Sequence, residues 1–140
     1  MLHEVHRRRV AETVVGSPHG QFQGFRLDLL DEDRCRLCLP AAAHHLNANG
    51  RLNGGAIAAL IDTAATAAAW ASNRVGTESR GTTVAMSINY LAPGRGDLVA
   101  VAQVTRRGRS LSFIAVGVRD GDGREVASAL ITYKLDLARA

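Results

Sequence analysis

The sequence predicts an α+β domain in which one antiparallel sheet wraps a single long central helix. Three observations carry that expectation. The stretch Ala56 to Ala71 is rich in alanine and apolar on nearly every helical face, the mark of a buried helix rather than a surface one. Two strand-like segments precede it and four follow it. Strands and helices do not alternate, and no Gly-x-Gly-x-x-Gly follows a first strand, so a doubly wound nucleotide fold does not account for the order.

Taken in turn, His3 to Val15 reads as a short helix packed on the body, broken by Ser17-Pro18-His19-Gly20. Phe22 to Leu30 and Arg34 to Leu39 read as a hairpin around the acidic turn Asp31-Glu32-Asp33, ended by Pro40. Ala41 to Asn53 is a loop carrying His44, His45, Asn47, Asn49 and Asn53. Gly54-Gly55 opens the long helix. Thr82 to Leu91 then places Val84, Met86, Ile88 and Tyr90 on one strand face. Asp97 to Arg106 and Leu111 to Arg119 are joined by Arg107-Gly108. The turn Asp120-Gly121-Asp122-Gly123 leads into Arg124 to Leu135 as a hairpin. The whole, residues 1–140, reads as one domain: an N-terminal segment over 1–19 and a core over 20–137.

The length of 140 residues suits one domain and is too short for two. Hydrophobic residues make up 46 % and charged residues 21 %, which excludes a disordered chain. Aromatics are only 4 %, so alanine, valine and leucine fill the core and further burial is expected from self-association. The net charge is +4, and of 17 basic residues only Lys134 is a lysine. Arginine favours bidentate contact with phosphate or carboxylate. No zinc-finger spacing or aromatic-basic motif accompanies it, so a nucleic-acid partner is not expected. Cys35 and Cys38 have Cys-x-x-Cys spacing, but they fall in a strand that points them to opposite faces, and no second pair exists. They read as structural thiols in a reducing cytoplasm. No signal peptide reads from the N-terminus, and the uncharged stretches around Asp62 are too short to span a bilayer.

Asp62 is the only charged residue between Arg51 and Arg74, two turns into a helix whose other positions read as buried. A buried carboxylate costs several kcal/mol unless it is paired, hydrogen-bonded or protonated. Either a neighbouring hydroxyl or amide satisfies it structurally, or its burial tunes it for chemistry. The glycines at the helix start favour the second reading. They let a ligand approach the backbone, where unpaired amides at the positive dipole end form an oxyanion hole.

At this point the sequence resembles the hotdog-fold acyl-CoA thioesterases of the phenylacetate-pathway (PaaI-like) type. The resemblance rests on His45-Leu46-Asn47-Ala48-Asn49-Gly50-Arg51-Leu52-Asn53-Gly54-Gly55, with Leu60-Ile61-Asp62 placing the acid eight positions past the first glycine. A second block is Thr83 to Pro93 and a third is Arg107 to Phe113. The resemblance implies hydrolysis of acyl-CoA thioesters, with no cofactor or metal, coenzyme A being part of the substrate. Asp62 would activate water or attack the thioester, the Gly54 or Gly55 amide would hold the oxyanion, Asn47 would orient the carbonyl or water, and Thr83 would help place the water. It also implies a homodimer with shared active sites, Asn47 and Gly54 of one subunit facing Asp62 and Thr83 of the other, and pairing of dimers into a homotetramer.

One position departs from the pattern. The family's histidine before Gly-Gly is Asn53 here, which can brace the loop but cannot serve as an imidazole acid or base. His44 or His45 is the candidate substitute; adjacent histidines without a third partner make poor zinc ligands. Coenzyme A phosphates need positive charge at the pocket mouth, for which Arg95, Arg106, Arg107 and Arg109 are the candidates. Two other readings of the same outline remain: a hydratase or dehydratase, which needs a histidine-acid pair, and a non-catalytic acyl- or CoA-binding protein.

Overall fold

The computed structural model describes residues 1–137. The expected domain of residues 1–140 therefore includes three, 138–140, that lie outside the described residues. Six strands, β1 (Arg26–Asp31), β2 (Arg34–Leu39), β3 (Gly81–Tyr90), β4 (Leu98–Arg107), β5 (Leu111–Asp120) and β6 (Glu125–Leu135), form one sheet in the order β1-β2-β4-β5-β6-β3. Every neighbouring pair is antiparallel. The expected α+β architecture is present: the long helix, Gly54–Trp70, packs against all six strands, and the sheet curls round it.

That helix holds the core together. Leu60, Ile61, Ala64, Ala65, Ala67, Ala68 and Ala69 are fully buried. They meet the inward rows of the sheet, among them Leu37 and Leu39 of β2, Leu98 and Ala100 of β4, Ile114 and Val118 of β5 and Ile131 of β6. Burial of Leu60 or Ile61 stabilises the fold by roughly 1.5–3 kcal/mol each. The alanines add little individually, but they let the backbone of the helix lie close to the sheet.

Two expectations near the N-terminus need correction. The first helix, α1 (Glu4–Val10), runs on as a π-helical turn over Ala11–Val15 and anchors itself through buried Val10 and Val15. Ser17-Pro18 then starts a second short helix, α2 (Pro18–Gln23), instead of only breaking the first. The Ser17 side chain accepts from the Gly20 amide at 3.1 Å, and Pro18 takes the first helical position. Gly24, at φ 81°, ends the helix in the left-handed region. The strand expected from Phe22 consequently begins at Arg26, and Phe22 stays exposed. The long helix is α3 below.

Candidate active site

Helix α3 starts where the loop from β2 delivers Asn53. The Asn53 side chain accepts from the Gly55 amide at 2.7 Å, and its carbonyl accepts from the Ala56 and Ile57 amides. Asn53 is thus the N-cap. This removes Gly55 as an oxyanion donor, because its amide is already bonded. The Gly54 amide is left, donating to no protein acceptor among the described residues. Gly54 is exposed, and its carbonyl accepts from the Tyr90 hydroxyl at 3.0 Å. Tyr90 therefore ties the helix start to the end of β3, a link that the position of Tyr90 on one strand face does not by itself reveal.

Asp62 lies two turns along α3. Its surroundings in the sequence predict burial; in the single chain it is half-buried and opens on a cleft. The Thr83 hydroxyl donates to Asp62 Oδ1 at 2.7 Å. The register of β3 explains how. Thr83 pairs with inward-facing Tyr133, while Met86, Ile88 and Tyr90 pair with Ile131, Ala129 and Ala127, with a register shift between Thr83 and Ala85. Strict alternation would put Thr83 on the opposite face from Met86. The bulge inserts one residue, Val84, and turns Thr83 back toward the helix. The same bulge takes Val84 off the face of Met86, Ile88 and Tyr90, on which the sequence places it.

The cleft has a volume of about 420 Å³. Asp62, Thr63, Thr66 and Trp70 form its helical side, Tyr133 of β6 one wall, and Arg9 with Thr13 and Val14 of the N-terminal segment the other. Trp70 Nε1 donates to the Tyr133 hydroxyl at 2.7 Å. Burial pushes the Tyr133 pKa up, and the charge of nearby Asp62 adds to this against the pull of the Trp70 N–H. Gly81 makes the wall possible: a Cβ there would stand 2.6 Å from the Tyr133 ring. None of Arg9, Thr66, Trp70 or Tyr133 stands out in the sequence, since each lies away from the glycine motif along the chain.

The other expected residues lie apart from Asp62. Asn47 is exposed, and its side-chain oxygen accepts from the amides of Asn49 at 2.9 Å and Arg51 at 3.1 Å. It shapes the loop before α3 and keeps only its NH₂ for a ligand. His44 is exposed and contacts the Phe22 carbonyl at 3.0 Å, while His45 is fully buried. The carbonyls of Gln23 and Pro40 approach the His45 ring outside hydrogen-bond geometry, and its pKa is pushed down by burial and then by His44. Neither histidine lines the Asp62 cleft.

The arginines do not form one cluster. Arg95 is exposed at the α3 N-terminal end, lining a groove of about 550 Å³ with Leu46, Leu52 and the alanines after Pro40. Arg106 and Arg109 are exposed at the other end of the sheet. Arg107 is a structural residue, donating to Asp33 Oδ1 at 2.9 and 2.6 Å and to the Ala68 carbonyl at the end of α3. Cys35 and Cys38 are both buried free thiols, and burial pushes the Cys35 pKa up to about 12. Among the described residues no group of three or more His, Cys, Asp or Glu side chains is placed to hold a metal, and no helix is long and apolar enough to cross a membrane.

This architecture is shared. The Thioesterase superfamily model matches residues 49–127, which include the glycines, Asp62 and Thr83. Acyl-coenzyme A thioesterase 13 of Homo sapiens is 36 % identical over 94 residues, a match spanning 65 % of this chain and 65 % of that one. A thioesterase family protein from Silicibacter pomeroyi superposes with a TM-score of 0.85 at 25 % identity, covering 95 % of this chain and 99 % of the other. The PaaI protein of E. coli, from the phenylacetic acid degradation operon, shares the fold with a TM-score of 0.83 at 20 % identity, covering 96 % and 95 %. The chain belongs to the hotdog-fold thioesterase superfamily.

Proposed function

We propose that the protein hydrolyses acyl-CoA thioesters as a homodimer, with Asp62 and Thr83 of one subunit facing Gly54 and Asn47 of the other. The observation that carries this reading is the Thr83–Asp62 hydrogen bond at 2.7 Å, which fixes a carboxylate at the wall of a cleft beside a hydroxyl. Geometry supports the sharing of sites. Gly54 and Asp62 of one chain are eight helical residues apart, about 12 Å of rise, whereas both must lie about 3 Å from one thioester group. One chain cannot bring its own pair together. Strand β3 is an unpaired edge of ten residues, exposed through most of its length and carrying Val84 and Tyr90 on its surface. Such an edge is a template for pairing with a second copy. Leu130 and Phe113, exposed on the outer face of the sheet, supply an apolar surface on which two dimers join as a tetramer.

In the reaction Thr83 holds a water against Asp62, which takes its proton as the water attacks the thioester carbonyl. The developing oxyanion is held by the Gly54 amide at the helix N-terminus, and the Asn47 NH₂ braces the carbonyl. Coenzyme A leaves as a thiolate. A thiolate is a far better leaving group than an alkoxide, so departure needs no strong acid, and Asn53 serves as a cap where relatives of this type carry histidine. Arg95, exposed at the α3 N-terminal end, meets the phosphates, whereas Arg106 and Arg109 lie at the other end of the sheet. Among the described residues no histidine of the same chain lines the cleft, which favours hydrolysis over a hydratase acting through a histidine-acid pair. The buried free thiols Cys35 and Cys38 fit a reducing, cytoplasmic setting. Steady-state thiol release from an acyl-CoA panel by native protein and by Asp62→Asn tests the reading. Turnover that collapses in the folded variant supports it, and equal turnover removes Asp62 from the chemistry.

A further inference from the structure

We propose that the Asp62 cleft accepts acyl groups whose far end carries a carboxylate, and that Arg9 reads that carboxylate; this rests on the thioester hydrolysis proposed at Asp62. The cleft is bounded at one end by Asp62 and at the other by the Arg9–Trp70 pair. The Arg9 guanidinium lies over the Trp70 ring, 4.9 Å from its centroid, and Nη1 donates to the Gly76 carbonyl at 2.8 Å. These contacts fix the cation without neutralising it. Among the described residues Arg9 forms no ion pair, in contrast to Arg7, Arg26 and Arg107. The guanidinium has five N–H donors, and only one of them is engaged by the protein.

The surroundings of Arg9 are wrong for a methyl-ended chain. Thr13, Thr63, Thr66 and the Tyr133 hydroxyl all border the cleft. An apolar tail laid among them would take the unengaged N–H groups of the Arg9 guanidinium out of water with no replacement partner, which costs free energy for each. A carboxylate accepts from the guanidinium and from the Thr63 and Tyr133 hydroxyls, whereas Thr13 already donates to the Arg9 carbonyl at 2.7 Å. The spacing suits a chain of medium length. Trp70 stands eight residues beyond Asp62 on the same helix, about 12 Å along its axis. A terminal carboxylate held by Arg9 then stands about that distance from Asp62, and the adjoining guanidinium offsets the repulsion between the two negative charges.

The test compares suberyl-CoA with octanoyl-CoA and ω-hydroxyoctanoyl-CoA, whose chains match in length and differ at the end group. Native protein is expected to favour suberyl-CoA over octanoyl-CoA about tenfold or more in kcat/KM, the worth of one charge-assisted hydrogen bond. The difference should sit in KM. Arg9→Gln should abolish the preference, and Arg9→Lys should retain part of it. The ratio of two substrates within one preparation is insensitive to partial unfolding of a variant. Equal or reversed preference in the native protein, preference for the hydroxylated chain over suberyl-CoA, or an unchanged ratio in Arg9→Gln overturns the proposal. If Asp62→Asn hydrolyses as well as native protein while the Arg9-dependent ratio persists, the role of Asp62 falls and that of Arg9 stands. If no substrate is turned over, titration calorimetry of suberyl-CoA against octanoyl-CoA with the same variants decides on the same ratio.

Discussion

The Thr83 hydroxyl reaches Asp62 because strand β3 carries one residue more than its partner β6 at that point. The bulge at Val84 turns a side chain that alternation would send outward toward the helix, and so joins the edge strand to the candidate catalytic acid. Removing the hydroxyl while keeping the shape tests that link. Thr83→Val is expected to lower kcat by about ten- to a hundredfold, corresponding to the roughly 1.5–3 kcal/mol of a hydrogen bond to a charged group. Thr83→Ser should stay close to native. Initial rates under saturating acyl-CoA measure both.

The helix start yields a stability prediction. Asn53 accepts from the Gly55 amide at 2.7 Å as the N-cap of α3. Asn53→Ala should destabilise the protein by about 1 kcal/mol, and Asn53→Asp or Asn53→Ser should restore most of it. Denaturant midpoints at constant m-value measure the difference.

Acid should weaken the fold through His45. Burial and the neighbouring His44 hold its pKa below the ordinary value in the folded chain. The unfolded chain therefore binds the proton first. Stability attributable to His45 is complete above about pH 6.5 and declines as the pH falls below that toward the depressed folded value, because the unfolded state holds more protons there. Melting temperatures of native protein should drop between neutral pH and pH 5 by more than those of His45→Phe.

At high pH the sign reverses. The Cys35 thiol is pushed up from 9.0 to about 12 by burial. The unfolded chain loses this proton first, so stability falls as the pH rises through that window. The native thiol should accordingly resist alkylation at pH 8, and label only in denaturant; mass spectrometry after timed labelling reads the outcome.

The architecture is more legible in the sequence than the site. Alanine on nearly every face of α3 marks a buried helix, and the turn at Asp120 to Gly123 marks a hairpin, because both signals are local. The start of β1 is harder to place because Phe22 and Phe25 look like strand residues, while Ser17, Pro18 and Gly24 impose a helix first. Asp62 is conspicuous as a lone charge. Its openness is not legible, since it depends on which elements leave the wall incomplete. Tyr133, Trp70 and Arg9 reach the cleft only through tertiary packing, and Arg107 turns to Asp33, a partner far away along the chain. The loss of the Gly55 amide follows from the cap made by Asn53, a residue that attracts notice in the sequence for its lack of an imidazole rather than for its acceptor oxygen.

The most direct measurement mixes two inactive variants, Gly54→Val and Asp62→Asn, after separate purification and co-refolding. If Gly54 of one subunit works with Asp62 of the other, half of the dimers in an equal mixture are mixed and each holds one intact site. About one quarter of native acyl-CoA hydrolysis should then return. A mixture that stays as inactive as its components, with mixed dimers demonstrated by mass, would contradict the shared site.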